Sequence, residues 1–269
     1  MTTHTLATTP PAAPTRTTAL AVTGAAIRRS TRTVLRSPAL LLSPLAQSLF
    51  FLLVYNGQLG SVGATYLSGG SFIAFVLPLI LLTAVATGAG SAGTLVFRDV
   101  TSGYLDRLRM AHGTTAPFLV GALVATLVGV ALLLVAAVGG AMLFGYRPTT
   151  WAGTVSMLGV LLVLGVAVAL VSIAVALRAA SESTVNVVTL VVFGLSFFTG
   201  VFAPVDELSG WMGAIATVNP LTYVVDVARQ LESGSALDAA PVAAVVLVTL
   251  VAAGLTACAV ALDHARRNR

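Results

Sequence analysis

The side chains able to do chemistry in this 269-residue chain are few, and their types exclude more than they offer. All 14 basic side chains are Arg, and there is no Lys. A Walker-type phosphate loop needs its Lys and imine chemistry needs an amine, so neither fits this chain. His4, His112 and His264 lie far apart and match no metal-ligand spacing. Cys258 is the single cysteine, cannot make an internal disulfide, and sits in an apolar run where it reads as a small buried hydrophobe. Two polar constellations remain. Residues 98–113, RDVTSGYLDRLRMAHG, place six Arg, Asp or His among sixteen positions between two long apolar runs. Asp226 and Arg229 stand three apart, a spacing at which side chains meet on a helix.

The elements that position these groups follow from composition. Hydrophobic residues make up 57% of the chain and charged residues 9%, against roughly 25% charged in soluble domains. The mean hydropathy is +0.99. These values describe a membrane protein. The net charge of +5 raises nucleic-acid binding, but the Arg residues are scattered over short loops and form no stripe, so no nucleic-acid partner is expected. About 20 helical residues cross the hydrocarbon. The expected fold is an all-α integral membrane protein with six transmembrane helices, near 38–57, 71–97, 117–144, 151–177, 184–201 and 239–262. Pro78 is placed to kink the second span, and the small residues after Thr87 to let a neighbour approach closely. Only GYRPTT separates the third and fourth spans, which makes them an antiparallel hairpin. Residues 1–18, rich in Thr, Ala and Pro, read as a disordered cytosolic tail, and no cleaved signal peptide is expected. Residues 19–36 read either as an amphipathic interfacial helix whose Arg face meets anionic headgroups, or as a basic tail that only sets topology.

Six spans put both termini on one side. With that side cytosolic, Arg16, Arg28, Arg29, Arg32, Arg36, Arg98, Arg107, Arg109, Arg178, Arg266, Arg267 and Arg269 lie inside, and only Arg147 and Arg229 outside. Asp206, Glu207, Asp226, Glu232 and Asp238 fall outside. Residues 98–113 then form a cytosolic loop. As a helix, the loop gathers Val100, Tyr104, Leu105 and Leu108 on one side, with Asp99 or Thr101 as its starting cap. Gly103 inside that helix costs about 1 kcal/mol, which close packing against it would explain. Such a helix lies on the bilayer or enters a groove on a partner; a plain surface helix joining two spans is the alternative. Residues 203–238 are broken by Pro, Gly and acids and read as short helices at, or dipping into, the outer surface, with Trp211 and Tyr223 at headgroup level. Asn219-Pro220 starts one of them, with Pro at its first position. Asp226 and Arg229 either latch this element or form an ordinary surface ion pair. Asn186, Ser196 and Thr199 in the fifth span line a path or hold helices together. No acid or base lies deep within a span, which disfavours a proton-driven pump.

Two stretches carry a family resemblance. One is Asp99, Gly103, Tyr104, Leu105, Asp106, Arg107 and Leu108. The other runs GLSFFTGVFAPVDELSGWMGAIATVNPLTYVVDVAR and supplies Phe202, Pro204, Asp206, Glu207, Trp211, Asn219, Pro220, Leu221, Thr222, Tyr223, Asp226 and Arg229. Nearly the whole chain after Arg28 resembles ABC-2 type transporter permeases, and within them the daunorubicin-exporter-like antibiotic-resistance branch. Many relatives put Pro soon after the loop helix, where this chain reads AHGTTAP.

The resemblance implies a transmembrane domain over residues 37–265 and a short cytosolic coupling helix. There Arg98, Asp99, Gly103, Tyr104, Leu105, Asp106, Arg107, Leu108 and Arg109 would meet a separate ATPase subunit. It also implies an extracellular re-entrant element between spans five and six, built on Pro204, Asp206, Glu207, Trp211, Asn219, Pro220, Tyr223, Asp226 and Arg229. The implied function is export of a lipophilic or amphipathic drug or antibiotic by a non-catalytic permease. This chain would bind no cofactor or metal, with ATP and Mg on two copies of the ATPase. A second permease copy would complete a homodimer in the bacterial plasma membrane, both termini cytoplasmic. Export of a polysaccharide or lipid-linked glycan is the alternative.

Overall fold

In hydrocarbon every backbone polar group must be satisfied within its own segment, so long apolar runs fold as helices. The computed structural model describes residues 19–66, 71–105, 107, 110, 115–200 and 208–267, and the regular structure among them is helical. The named elements are α1 (Ala19–Leu35), α2 (Pro38–Tyr66), α3 (Phe72–Thr101), α4 (Ala116–Leu143), α5 (Trp151–Ala176), α6 (Glu182–Ser196), α7 (Gly210–Val218), α8 (Pro220–Ser233) and α9 (Ala240–Arg267). The expected tail at 1–18 and Asp106, Leu108, Arg109, Pro204, Asp206 and Glu207 lie outside the described residues.

Among the described residues five helices are long and apolar enough to cross a membrane: α2 over Pro38–Gly60, then α3, α4, α5, and α9 over Ala240–His264. The expected fifth span is shorter than the sequence suggested. As α6 it has 15 residues, about 22 Å at 1.5 Å per residue, against about 30 Å of hydrocarbon. Residues 71–97 also differ from expectation, because α3 runs on to Thr101. Pro78 lies inside α3 without ending it.

The bundle is built around α3, which packs against α2, α4, α5, α6 and α8. In its most apolar stretch 83% of residues are buried, against 17% for α2 and 22% for α9, so α3 is the axis and the other two face outward. The outward faces stay apolar, with Val245 and Val248 on α9 mostly exposed, as lipid-facing positions require. Small residues bring the axis close to its neighbours. A side chain at Gly93 would run into Val185 of α6 and the Ser172 backbone of α5. Gly121 of α4 admits the backbone of Ala26, so α1 lies along α4 through Ala26, Ser30 and Val34.

Local chemistry sets the helix ends. Ser71, Thr150 and Ser181 cap α3, α5 and α6 by accepting the N–H of Ala74, Gly153 and Thr184. The chain order places α1 and the α3–α4 turn at one end of the bundle, where Arg98 reaches the first turn of α6 and Arg178 reaches α9. This end is called basic below. The α4–α5 hairpin, α7 and α8 occupy the opposite end, where Asn219 meets the C-terminal end of α6.

Candidate functional site

At the basic end, residues 98–110 do not form the single helix expected. Arg98, Asp99 and Val100 complete α3, with Ser102 as its C-cap. Asp99 and Thr101 therefore sit at a helix end and not at a helix start. Gly103 follows with φ 68°, in the left-handed region, and Tyr104, Leu105, Arg107 and Met110 are again helical. No atom would lie within 4 Å of a Cβ at Gly103, so the backbone turn requires glycine and close packing does not.

The charges of this segment bind within the chain. Asp99 accepts from Arg29 of α1 at 3.0 and 3.4 Å, a two-pronged pair. The same guanidinium lies 3.9 Å from the Tyr104 ring centroid, and Tyr104 stands edge-on to Phe118 of α4 at 5.8 Å. The hydrogen bond to Asp99 raises the Arg29 pKa above its ordinary value, outweighing partial burial. Arg98 pairs with Glu182 at 3.1 Å, where an acid also suits the α6 N-terminus. Arg107 donates to the Ser102 carbonyl at 3.2 Å. Val100, Tyr104 and Leu105 pack, partly buried, on the chain's own core. All three described members of the expected partner-facing stripe, Val100, Tyr104 and Leu105, thus pack on the chain itself. The outward groups are Arg107 and Met110, both exposed.

At the opposite end, Asn219 does what Asn-Pro promises. It caps α8 by accepting the Leu221 N–H at 3.0 Å, with Pro220 opening the helix. Its amide donates to the carbonyls of Leu195 and Phe198 at 2.8 and 3.1 Å, fastening α8 to the end of α6. Thr222 and Tyr223 donate to Ala216 and Thr217 and fold α7 against α8. Trp211 is mostly exposed and touches Phe198 edge-on. Asp226 and Arg229 pair at 3.7 Å, and the Arg229 guanidinium lies 4.3 Å from the Phe75 ring centroid of α3. Burial raises the Asp226 pKa, with Arg229 opposing; burial lowers the Arg229 pKa, with Asp226 opposing. Both line an open cavity of about 590 Å³ with Ser71 and Gln230.

The residue that sequence reasoning missed is Glu232, 2% exposed. Its carboxylate accepts from the Tyr146 hydroxyl, from Thr154 at 2.9 Å and from the Thr149 N–H at 3.4 Å. Burial, then the bond to Glu232, raises the Tyr146 pKa. The signal lies in α8: Leu221, Val225, Ala228 and Glu232 recur on its buried face, so the periodicity marks Glu232 as inward.

Asn186 is exposed on α6. Ser196 and Thr199 are fully buried, but their hydroxyls donate to Val192 and Ser196 carbonyls one turn back. Those hydroxyl bonds are local and join no second helix. Cys258 is buried in α9 against the Leu170 carbonyl. Among the described residues no group of three His, Cys, Asp or Glu side chains is placed to hold a metal.

Residues 22–233 match the family described as ABC-2 type transporter. The daunorubicin resistance ABC transporter permease protein DrrB1 of Streptomyces coeruleorubidus is 28% identical over 232 residues, covering 83% of this chain and 79% of that protein. The probable doxorubicin resistance ABC transporter permease protein DrrC of Mycobacterium tuberculosis is 25% identical over 187 residues, 69% and 67% of the two chains. The putative transport permease ycf38 of Pyropia yezoensis is 26% identical over 212 residues, 78% and 73%. The chain belongs to the ABC-2 type transporter family.

Proposed function

We propose that this multi-pass ABC-2 type protein is the transmembrane subunit of an exporter driven by a separate ABC ATPase, moving a lipophilic or amphipathic small molecule of the drug or antibiotic class. Its relatives are named for daunorubicin and doxorubicin resistance. The absence of Lys supports placing ATP and Mg on the partner. Two ATPase copies serve two permease copies in a bacterial plasma membrane.

The Arg-rich end is the cytosolic one by the positive-inside rule, with both termini there. Six crossings are supported by α6, which starts beside Arg98 and reaches Asn219 at the other end despite its length. The pair α7–α8 is then the extracellular re-entrant element.

The observation that carries the reading is the built turn after α3. Asp99, Tyr104 and Leu105 are held by Arg29, Phe118 and the core, while Arg107 and Met110 are exposed beyond them. Arg107 and Met110 are the described residues offered to the ATPase. The test is co-purification with the cognate ATPase and ATP-dependent daunorubicin uptake by inside-out vesicles. Arg107→Glu/Met110→Asp is expected to lower co-purification at least ten-fold, by analogy with a lost anchor of about 1.4 kcal/mol or more. An assembled, ATP-hydrolysing complex that moves neither daunorubicin nor another amphipathic drug overturns the reading.

A further inference from the structure

Helix α1 has two unlike sides. Ala26, Ser30 and Val34 are buried, and α1 lies along α4. The other side carries Arg28, Arg29 and Arg32, and Arg36 follows in the turn after the helix; all four are exposed. Arg29 is held by Asp99 and Tyr104. No carboxylate among the described residues pairs with Arg28, Arg32 or Arg36. Arg28 and Arg32 of α1 and Arg36 in the turn just after it are three like charges within nine residues; they repel, and a bound anion would relieve that repulsion.

The space in front of them is shaped. A cavity of about 660 Å³ is lined by the four Arg with Thr33 and Ser37. A second, of about 380 Å³, shares Arg29, Thr33 and Ser37, is also lined by Arg98 and Asp99, and continues between α1, α2, α3 and α4 to Leu40, Leu95 and Ala122. The Asp99 carboxylate there is paired with Arg29, so the unpaired guanidinium groups lie at the outer mouth, with hydroxyl and then apolar side chains toward Leu40 and Leu95. The apolar stretch Pro38–Gly60 begins directly after Ser37. Its 23 residues span about 35 Å, enough to cross about 30 Å of hydrocarbon, which sets Arg36 and Ser37 at the membrane boundary.

We propose that this Arg28–Arg32–Arg36 face binds the phosphate of an anionic phospholipid headgroup, with the glycerol and first methylenes seated toward Leu40 and Leu95. A free phosphate would satisfy the cationic mouth and leave the apolar floor without a use. An acidic protein segment would not explain the position of the site at the hydrocarbon boundary. The site is independent of export, since its ligand is part of the bilayer and its readout needs no ATPase.

The experiment uses the purified full chain in detergent. Dioleoylphosphatidylglycerol, dioleoylphosphatidylcholine and inorganic phosphate are titrated separately, with bound lipid counted by native mass spectrometry. Phosphatidylglycerol is expected to bind with retained adducts and phosphatidylcholine to bind at least ten-fold more weakly. Arg32→Gln/Arg36→Gln is expected to weaken phosphatidylglycerol binding about 30-fold, at about five-fold per Arg. Arg32→Lys/Arg36→Lys keeps the charge and stays within about ten-fold of wild type, while Arg147→Gln at the other end changes nothing. Equal binding of the two lipids, or full binding by the Gln pair, overturns the site. Displacement of phosphatidylglycerol by equimolar inorganic phosphate overturns the lipid assignment in favour of a free-anion site.

Discussion

Removing the Glu232 carboxylate is the sharpest test of how the end opposite α1 is held. In Glu232→Ala three donors lose one acceptor. Tyr146 keeps Thr154 within 3.2 Å, and the Thr154 hydroxyl also reaches the Thr150 carbonyl at 3.2 Å, so two of the three re-pair. The Thr149 N–H does not. A hydrogen bond to a charged group contributes about 1.5–3 kcal/mol net, and the lost buried stem adds to this. Removing a desolvated carboxylate offsets part of the loss. The expected cost is about 3 kcal/mol, a fall of roughly 6–12 °C in Tm for a chain of this size. Glu232→Gln keeps the stem and one acceptor and should lose about half as much. The chain's two tryptophans, Trp151 and Trp211, both lie at this end and are mostly exposed, so their fluorescence on heating in detergent reports the event. A cycle with Tyr146→Phe should show coupling of about 1 kcal/mol or more. A Glu232→Ala protein that melts within about 1 °C of wild type, or strict additivity with Tyr146→Phe, refutes the reasoning.

Three further outcomes follow from the structure. Gly103→Ala is expected to cost about 1–2 kcal/mol through its left-handed backbone, with Gly103→Asn tolerated; equal melting of the two variants counts against the turn. Asp226 and Arg229 are 37% and 25% exposed and 3.7 Å apart, so solvent screens the pair: Asp226→Leu alone should lose about 1 kcal/mol or less, and Asp226→Leu/Arg229→Met should lose no more than that. Because the Asp226 pKa is raised in the fold, the group favours folding below its ordinary value of 3.8 and loses that contribution as pH rises through the raised one. The melting difference between wild type and Asp226→Asn is expected to move in favour of wild type as the pH falls through that window.

The long spans were legible because hydropathy over twenty residues depends on no partner. α2, α3, α4, α5 and α9 stand within a few residues of their expected starts; α2, α3 and α9 run further at their C-terminal ends, because apolar counting stops where helical hydrogen bonding does not. The Asn219-Pro220 start and the Asp226–Arg229 pair were legible because each is set by spacing of three residues or less. What escaped depends on contacts far apart in sequence. Arg29 and Asp99 are 70 residues apart, and Tyr146 and Glu232 are 86. Nothing local distinguishes Arg29 from Arg28, or Glu232 from Asp238. Gly103 was misassigned for a related reason: helical periodicity continues through it, and only the backbone reveals a reversal of sign in φ.

The two ends of the bundle differ in what joins them. At the basic end, Arg29 and Asp99 are 43% and 24% exposed, and Arg98 and Glu182 65% and 42%. Exposed pairs of this kind hold with at most about 1 kcal/mol each and weaken with salt. At the opposite end, Glu232 and Tyr146 are buried, and a side chain at Gly153 would collide with the Leu231 carbonyl, so α8 and α5 meet backbone to backbone with no slack. On the proposed reading, work delivered by a partner at Arg107 and Met110 would meet weak, reversible ties first and a tightly packed block last. The α3–α4 turn would then be the part that shifts, and α8 with the α4–α5 hairpin the frame against which it shifts.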